Sequence, residues 1–121
     1  MPEAHSLRFV VLHHTGVPEA HYDLLIDTAA DAPLRSWRCD AWPLASGARV
    51  TATPDHRRVY LQYEGAISGN RGQVARVDEG PCCIEVDASD ELGARLIGRS
   101  EATMLHLKLL SKDTWIAVVG G

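Results

Sequence analysis

Apolar residues along this chain come in short, mostly alternating stretches punctuated by glycine and proline, a pattern that predicts strands rather than helices. Residues 7–14, LRFVVLHH, form a β-prone run that ends in two histidines. After the turn-like TGVPEA comes 21–27, HYDLLID, in which His21, Asp23, Leu25 and Asp27 face one way and Tyr22, Leu24 and Ile26 the other. Residues 34–40, LRSWRCD, alternate likewise, with Trp37 and Cys39 on one side. Over 56–64, HRRVYLQYE, strand parity sets Val59, Leu61 and Tyr63 against His56, Arg58, Tyr60, Gln62 and Glu64. GAISGNRG, 65–72, is a loop by composition. TMLHLKLL and DTWIAVV, joined through Ser111–Lys112, predict a hairpin. The helical signal is confined to SDELGARL, 89–96, where a serine precedes acidic residues and Gly93 interrupts. The expected fold is all-β: a small sandwich or, preferably, a closed or partly open β-barrel of about six to eight strands with at most one short helix.

Length and composition keep that picture and narrow it. The chain has 121 residues, 45% of them hydrophobic, which suits one domain over 1–121 and argues against wholesale disorder. Residues 1–6 are expected to be a loose tail. No apolar run approaches the roughly 18–20 residues of a membrane span, and the opening MPEAHSLRF lacks signal-peptide features, so a cytoplasmic protein is expected. Twelve Lys+Arg against 16 Asp+Glu give a formal charge of −4, so a nucleic-acid ligand needs a local patch rather than a global basic field. The three cysteines, Cys39, Cys82 and Cys83, form no C-x-x-C pair and read as structural thiols in a reducing compartment.

Histidine changes the picture more. Four of the six, His5, His13, His14 and His21, fall in the first 21 residues. In His21-Tyr22-Asp23 the imidazole and the carboxylate sit two apart on a strand, on one face and roughly 7 Å from each other, and can converge on an ion. The preceding strand delivers His13 or His14, which point to opposite faces, and parity alone does not choose between them. Two imidazoles and one carboxylate with open positions describe a catalytic rather than a structural divalent site. The plainer reading is a strand-capping histidine beside a solvated aspartate. His56 and Tyr60, on one face if a strand begins at 56, pair two donors suited to an oxyanion, with Arg58 between them; a solvated polar face explains them equally well. His106 reads as a surface residue and His5 as part of the tail.

At these residues the chain resembles the 3′-phosphoesterase domain of bacterial ATP-dependent DNA ligase D, a domain that also occurs as small stand-alone proteins. That family shows a phenylalanine-valine-valine strand ending in histidine, then L-H-Y-D-x-R-L-E; here the stretches are FVVLHH (9–14) and AHYDLLID (20–27). Its serine-tryptophan strand looks like Leu34–Trp37, and its D-H-P-x-x-Y-x-x-F-E-G segment matches Asp55–Gly65 without a gap. The subsequent I-P-x-G-x-Y-G-x-G loop is shortened to Ile67–Gly72, and a final hairpin with Trp115 also fits. The resemblance covers about residues 7–80 well. It implies metal ligands at His14, His21 and Asp23, catalytic phosphate contacts at His56 and Tyr60, and a divalent cofactor, Mn2+ by preference. It further implies a small β-barrel that trims ribonucleosides and phosphates from DNA 3′ ends in end-joining repair. The expected partners are a DNA 3′ end and a separately encoded ligase or polymerase, with the chain itself a monomer.

The departures fall on the family's cations. Its arginine two residues after the aspartate is Leu25 here, the lysine of its W-x-x-P-K-G segment is Ala41, and the arginine eight residues before the histidine is Ala48, with Arg49 one step off. The loop from His14 to His21 is one residue longer than usual. Phosphoryl transfer relies on neutralising the non-bridging oxygens, so Arg58, Arg49 and Arg38 are the candidate substitutes. Two functions stay open: a metal-dependent phosphoesterase, or a degenerate barrel that binds a metal, anion or nucleic-acid end without turnover. A cupin-like metal barrel is a third and weaker reading, because its H-x-H motif is absent.

Overall fold

The computed structural model describes residues 7–120, so His5 and the expected tail 1–6 lie outside the described residues. The described residues form nine strands: β1 Arg8–Thr15, β2 His21–Ile26, β3 Leu34–Cys39, β4 Arg49–His56, β5 Gly65–Ala66, β6 Gln73–Ala88, β7 Glu91–Ile97, β8 Ala102–Ser111 and β9 Thr114–Gly120. One 3₁₀ turn, Arg58–Leu61, lies between β4 and β5. The strands pair in the order β1-β2-β3-β4-β9-β8-β7-β6-β5, and a further β1–β6 pairing closes eight of them into a barrel-like ring with β5 appended to β6. The pairings are all antiparallel. Among the described residues no helix is long and apolar enough to cross a membrane.

The ring encloses a core of inward-facing residues, among them Phe9, Val11, Leu24, Ile26, Leu107 and Trp115. Trp37 and Trp115 meet edge to face with ring centroids 5.4 Å apart, and the Arg35 guanidinium lies over both rings at 4.9 and 5.5 Å. Cys39 and Cys82 pack in this core, and burial pushes each thiol up to about 12, which leaves them inert as nucleophiles.

β1 and β2 are unusual in being buried on both faces. Val10, Leu12, Leu25 and Leu34 point away from the ring interior, yet they form a second small core with Val74, covered by Tyr60, Leu61 and Ile67. This explains why the sequence of β1 reads as an unbroken apolar run, Phe9–Leu12. The cover is the segment between β4 and β6, and ion pairs hold it down. Arg58 forks onto the buried carboxylate of Asp27 at 2.6 and 2.9 Å and also donates to the carbonyls of Ala29 and Ala32. Arg76 of β6 reaches Glu64 and the Gln62 carbonyl, both at 3.3 Å.

Three sequence expectations need correction. Residues 56–64 do not continue as a strand: β4 ends at His56 and the chain tightens into the 3₁₀ turn. Tyr60 and Leu61 both bury against the outer core while Val59 is 55% exposed, so the two-residue period fails there. The helical signal at 89–96 is also displaced. Ser89 and Asp90 form a turn, and Leu92, Ala94 and Leu96 of β7 alternate into the core between β6 and β8. The final hairpin turns on Lys112–Asp113, one residue later than expected, with Lys112 at φ 53°.

Arg58→Ala removes two bonds from a carboxylate that stays buried, so it should lower the unfolding free energy by roughly 2–3 kcal/mol. Urea titration against wild type checks this. A loss below about 0.5 kcal/mol, the level of an ordinary exposed pair, sinks the anchoring role.

Candidate metal centre

The β1–β2 register sets His14 directly opposite His21, and Leu12 opposite Asp23. Paired residues of an antiparallel ladder project to the same side, so His14, His21 and Asp23 share the outer face. His13 pairs with Tyr22 instead and stacks on its ring at 4.5 Å, with an interplanar angle of 13°. The choice that sequence parity left open therefore goes to His14.

Both imidazoles are pinned by backbone carbonyls. His14 Nε2 lies 2.7 Å from Arg71 O, and His21 Nδ1 lies 2.9 Å from Glu19 O. A carbonyl only accepts, so each of those nitrogens carries the proton. The remaining nitrogens, Nδ1 of His14 and Nε2 of His21, offer lone pairs. They face the two carboxylate oxygens of Asp23 at 3.6 and 3.2 Å. The imidazole rings stand 4.9 Å apart, tilted by 60°. One ligand atom from each of the three residues lies within 4.8 Å of the others, and the side chains are only 10–18% exposed.

The donor set fits a divalent ion. Two imidazole nitrogens and a carboxylate held this close repel each other unless a cation or protons lie between them. Ligands about 2.0–2.2 Å from an ion of this kind stand roughly 3–3.5 Å from their neighbours, and the two distances to Asp23, 3.2 and 3.6 Å, lie near that spacing. Carbonyl partners on the distal imidazole nitrogens are the usual outer-shell arrangement of metal-bound histidine. This cluster can hold a metal ion.

A cavity of about 170 Å³ opens beside it, and His14, Asp23, His56, Tyr60 and Arg71 supply its polar wall. The structure thus brings His14 and Asp23 of the sequence-predicted triad and the His56/Tyr60 pair to one space, while His21 stands outside its wall. His56 Nδ1 donates to Pro54 O at 3.1 Å, leaving Nε2 free, and the Tyr60 ring meets the imidazole edge to face at 5.5 Å. A wider hollow of about 430 Å³ adjoins, sharing Tyr60 and Ile67 with the cavity and adding Arg57, Val59 and Tyr63.

The cations sort differently from the sequence expectation. Arg58 has its fork filled by Asp27, so as a phosphate ligand it is corrected to a structural anchor; the Asp27 bond raises its already high pKa. Arg38 stands opposite Asp23 on β3 but binds Glu19, the residue whose carbonyl holds His21. Arg49 is exposed on β4 opposite Ile116 and does not line the cavity. His106 bonds to Glu91 of the neighbouring strand. At the family's arginine position, Leu25 is fully buried in the outer core. Arg71 also lines the cavity, and strand parity is silent about it because it lies in a loop, marked in the sequence only by Gly69 and Gly72 nearby. No family model matches the chain, and no curated protein shows significant similarity to it.

His14→Ala, His21→Ala and Asp23→Asn should each weaken Mn2+ binding at least ~10-fold, while His13→Ala leaves it within about twofold. Calorimetric titration reads the affinities. Mn2+ at ~100 times the wild-type Kd should add about 2.7 kcal/mol to wild-type stability and, at the same concentration, no more than about 1.4 kcal/mol to the triad variants. Equal affinity in wild type and His21→Ala sinks the centre.

Proposed function

We propose that this protein is a divalent-metal-dependent phosphoesterase that removes a 3′-terminal phosphate or ribonucleoside from DNA ends. The observation that supports this best is the single cavity shared by the His14–Asp23 edge of the metal cluster and the His56/Tyr60 pair. Mn2+ is the preferred ion in this reading, through the resemblance to the ligase D phosphoesterase domain. When bound, the ion supplies Lewis acidity toward the phosphoryl oxygens and orientation for the attacking water.

The chain's own residues supply the rest. His14, His21 and Asp23 present a preformed, carbonyl-locked donor set. His56, whose Nδ1–H is held on Pro54, presents Nε2 to the reacting group and in its doubly protonated form donates to the leaving oxygen. Tyr60 adds a phenolic donor to a non-bridging oxygen. The adjoining hollow, with Tyr63 and Val59 exposed on its wall, accommodates the terminal sugar and base by apolar and stacking contact. With a charge of −4 the protein holds a strand end rather than a length of duplex.

A second reading has its own support. Leu25 and Ala41 stand where the family carries cations, and a site short of them can bind a metal and an anion without turning an ester over. A primer–template ending in one 3′ ribonucleotide or a 3′ phosphate, incubated with Mn2+, separates the two. Metal-dependent trimming is expected from wild type, with at least ~100-fold loss in His21→Ala and in His56→Ala. Only His56→Ala should keep Mn2+ affinity. Absence of any metal-dependent product overturns the enzyme and favours the binding protein.

A further inference from the structure

The loop between β5 and β6 does two things at one place. Ile67 N–H donates to Gly72 O at 2.8 Å and closes it. Gly69 (φ 76°), Asn70 (φ 59°) and Gly72 (φ 80°) all occupy the left-handed region, where glycine and asparagine are tolerated. Gly72 also has no space for a side chain. A Cβ there would lie 2.1 Å from Thr15 O and 3.2 Å from the carbonyl carbon of Gly16. The loop is therefore pressed against the end of β1, and that contact carries Arg71 O to within 2.7 Å of His14 Nε2.

The side chain of the same residue lines the cavity. Arg71 Nε donates to Ser68 O at 2.8 Å and one terminal nitrogen reaches Ser68 Oγ at 3.3 Å, which orients the guanidinium and leaves its other N–H groups free. No carboxylate among the described residues pairs with it. Arg35, Arg38, Arg58 and Arg99, by contrast, each hold a carboxylate at 3.2 Å or less. Among the described residues, Arg71 is the arginine on this cavity's wall.

We infer that Arg71 is the phosphate-binding cation of the site, gripping non-bridging oxygens of a phosphoryl group held at the His14–His21–Asp23 centre. The identity of the anion rests on the phosphoesterase reading above; the placement of the cation does not. Donors that could hold a divalent ion, a guanidinium, an imidazole and a phenol line one small space, and a tetrahedral oxyanion offers acceptor oxygens to several such groups together. A planar carboxylate reaches fewer. The guanidinium compensates, from a loop, for the cations that the resembled family carries at the places of Leu25 and Ala41. Its backbone meanwhile fixes the tautomer of a metal ligand. Arg71 thus joins the two halves of the site through separate groups, the carbonyl serving the metal and the side chain serving the anion.

That division makes the assignment testable with inorganic phosphate as the probe. Mn2+ affinity is measured first, then phosphate affinity of the Mn2+-loaded protein, for wild type, Arg71→Ala, Arg71→Lys and Arg95→Ala, an exposed β7 control. Arg71→Ala should lose at least ~10-fold in phosphate affinity, as expected for a charge-assisted contact, with Mn2+ affinity within about twofold. Arg71→Lys should recover part of the loss, and Arg95→Ala should match wild type. Unchanged phosphate affinity in Arg71→Ala, a parallel loss of Mn2+ affinity, or no phosphate binding by wild type overturns the assignment. If Arg71→Ala trims 3′-phosphate ends with wild-type kcat and KM, the assignment fails and the phosphoesterase reading stands. If phosphate binding depends on Arg71 but wild type hydrolyses no ester, the assignment stands and that reading fails.

Discussion

A strand pair whose outward side carries Val10, Leu12 and Leu25 has to be covered, and the need to cover it organises this molecule. The ring interior is already filled by the inward residues of its eight strands. The chain therefore leaves β4 after His56, crosses the outside of β1 and β2, and returns as β6 to close the ring. The same crossing places Tyr60, Ile67 and Arg71 over the polar end of that outer face, where His14, His21 and Asp23 lie. A concave, partly dry site with donors on two sides follows from covering an apolar patch with a segment long enough to overhang its polar neighbour.

The roof is held by groups that the chemistry leaves free. Asp27, at 2% exposure, and Arg58 form a forked pair at one side, and Arg76 gathers Glu64 and Glu79 at the other. Ion pairs of this kind add little net stability when compared with apolar packing, yet they fix position. Position is what the site requires, since both imidazoles depend on carbonyls delivered by loops.

Much of the scaffold was legible in residue order because strand period and side-chain face are tied by geometry. His21, Asp23 and Leu25 emerge on one side of β2 as the two-residue period demands, and Leu24 and Ile26 on the other. The same rule could not choose between His13 and His14; only the partner register does, by setting Tyr22 against the first and His21 against the second. It failed over 56–64 because two-faced burial replaces alternation there, with Tyr60 and Leu61 burying together and Arg58 drawn to Asp27. At 89–96 the two-residue period holds, with Leu92, Ala94 and Leu96 inward, and the capping signal misleads, because a serine before acidic residues is equally a turn residue and the pairing of β7 with β6 and β8 outweighs a weak helical preference. Arg71 lay beyond any periodic argument. Its place depends on Gly72 meeting Thr15 and Gly16 across 56 residues or more of chain.

The hydrogen bond between His14 and Arg71 spans 57 positions of sequence and sits beside the β1–β6 seam that closes the ring. Contacts of such separation are closed against the entropy of the long intervening chain. The tautomer of His14 therefore rests on a contact from outside its own hairpin, and a chain in which that loop has not docked lacks the bond that fixes this donor. An ion held by His14, His21 and Asp23 would tie β1 to β2, and by favouring the docked loop through His14 it would also favour closure of the seam beside it.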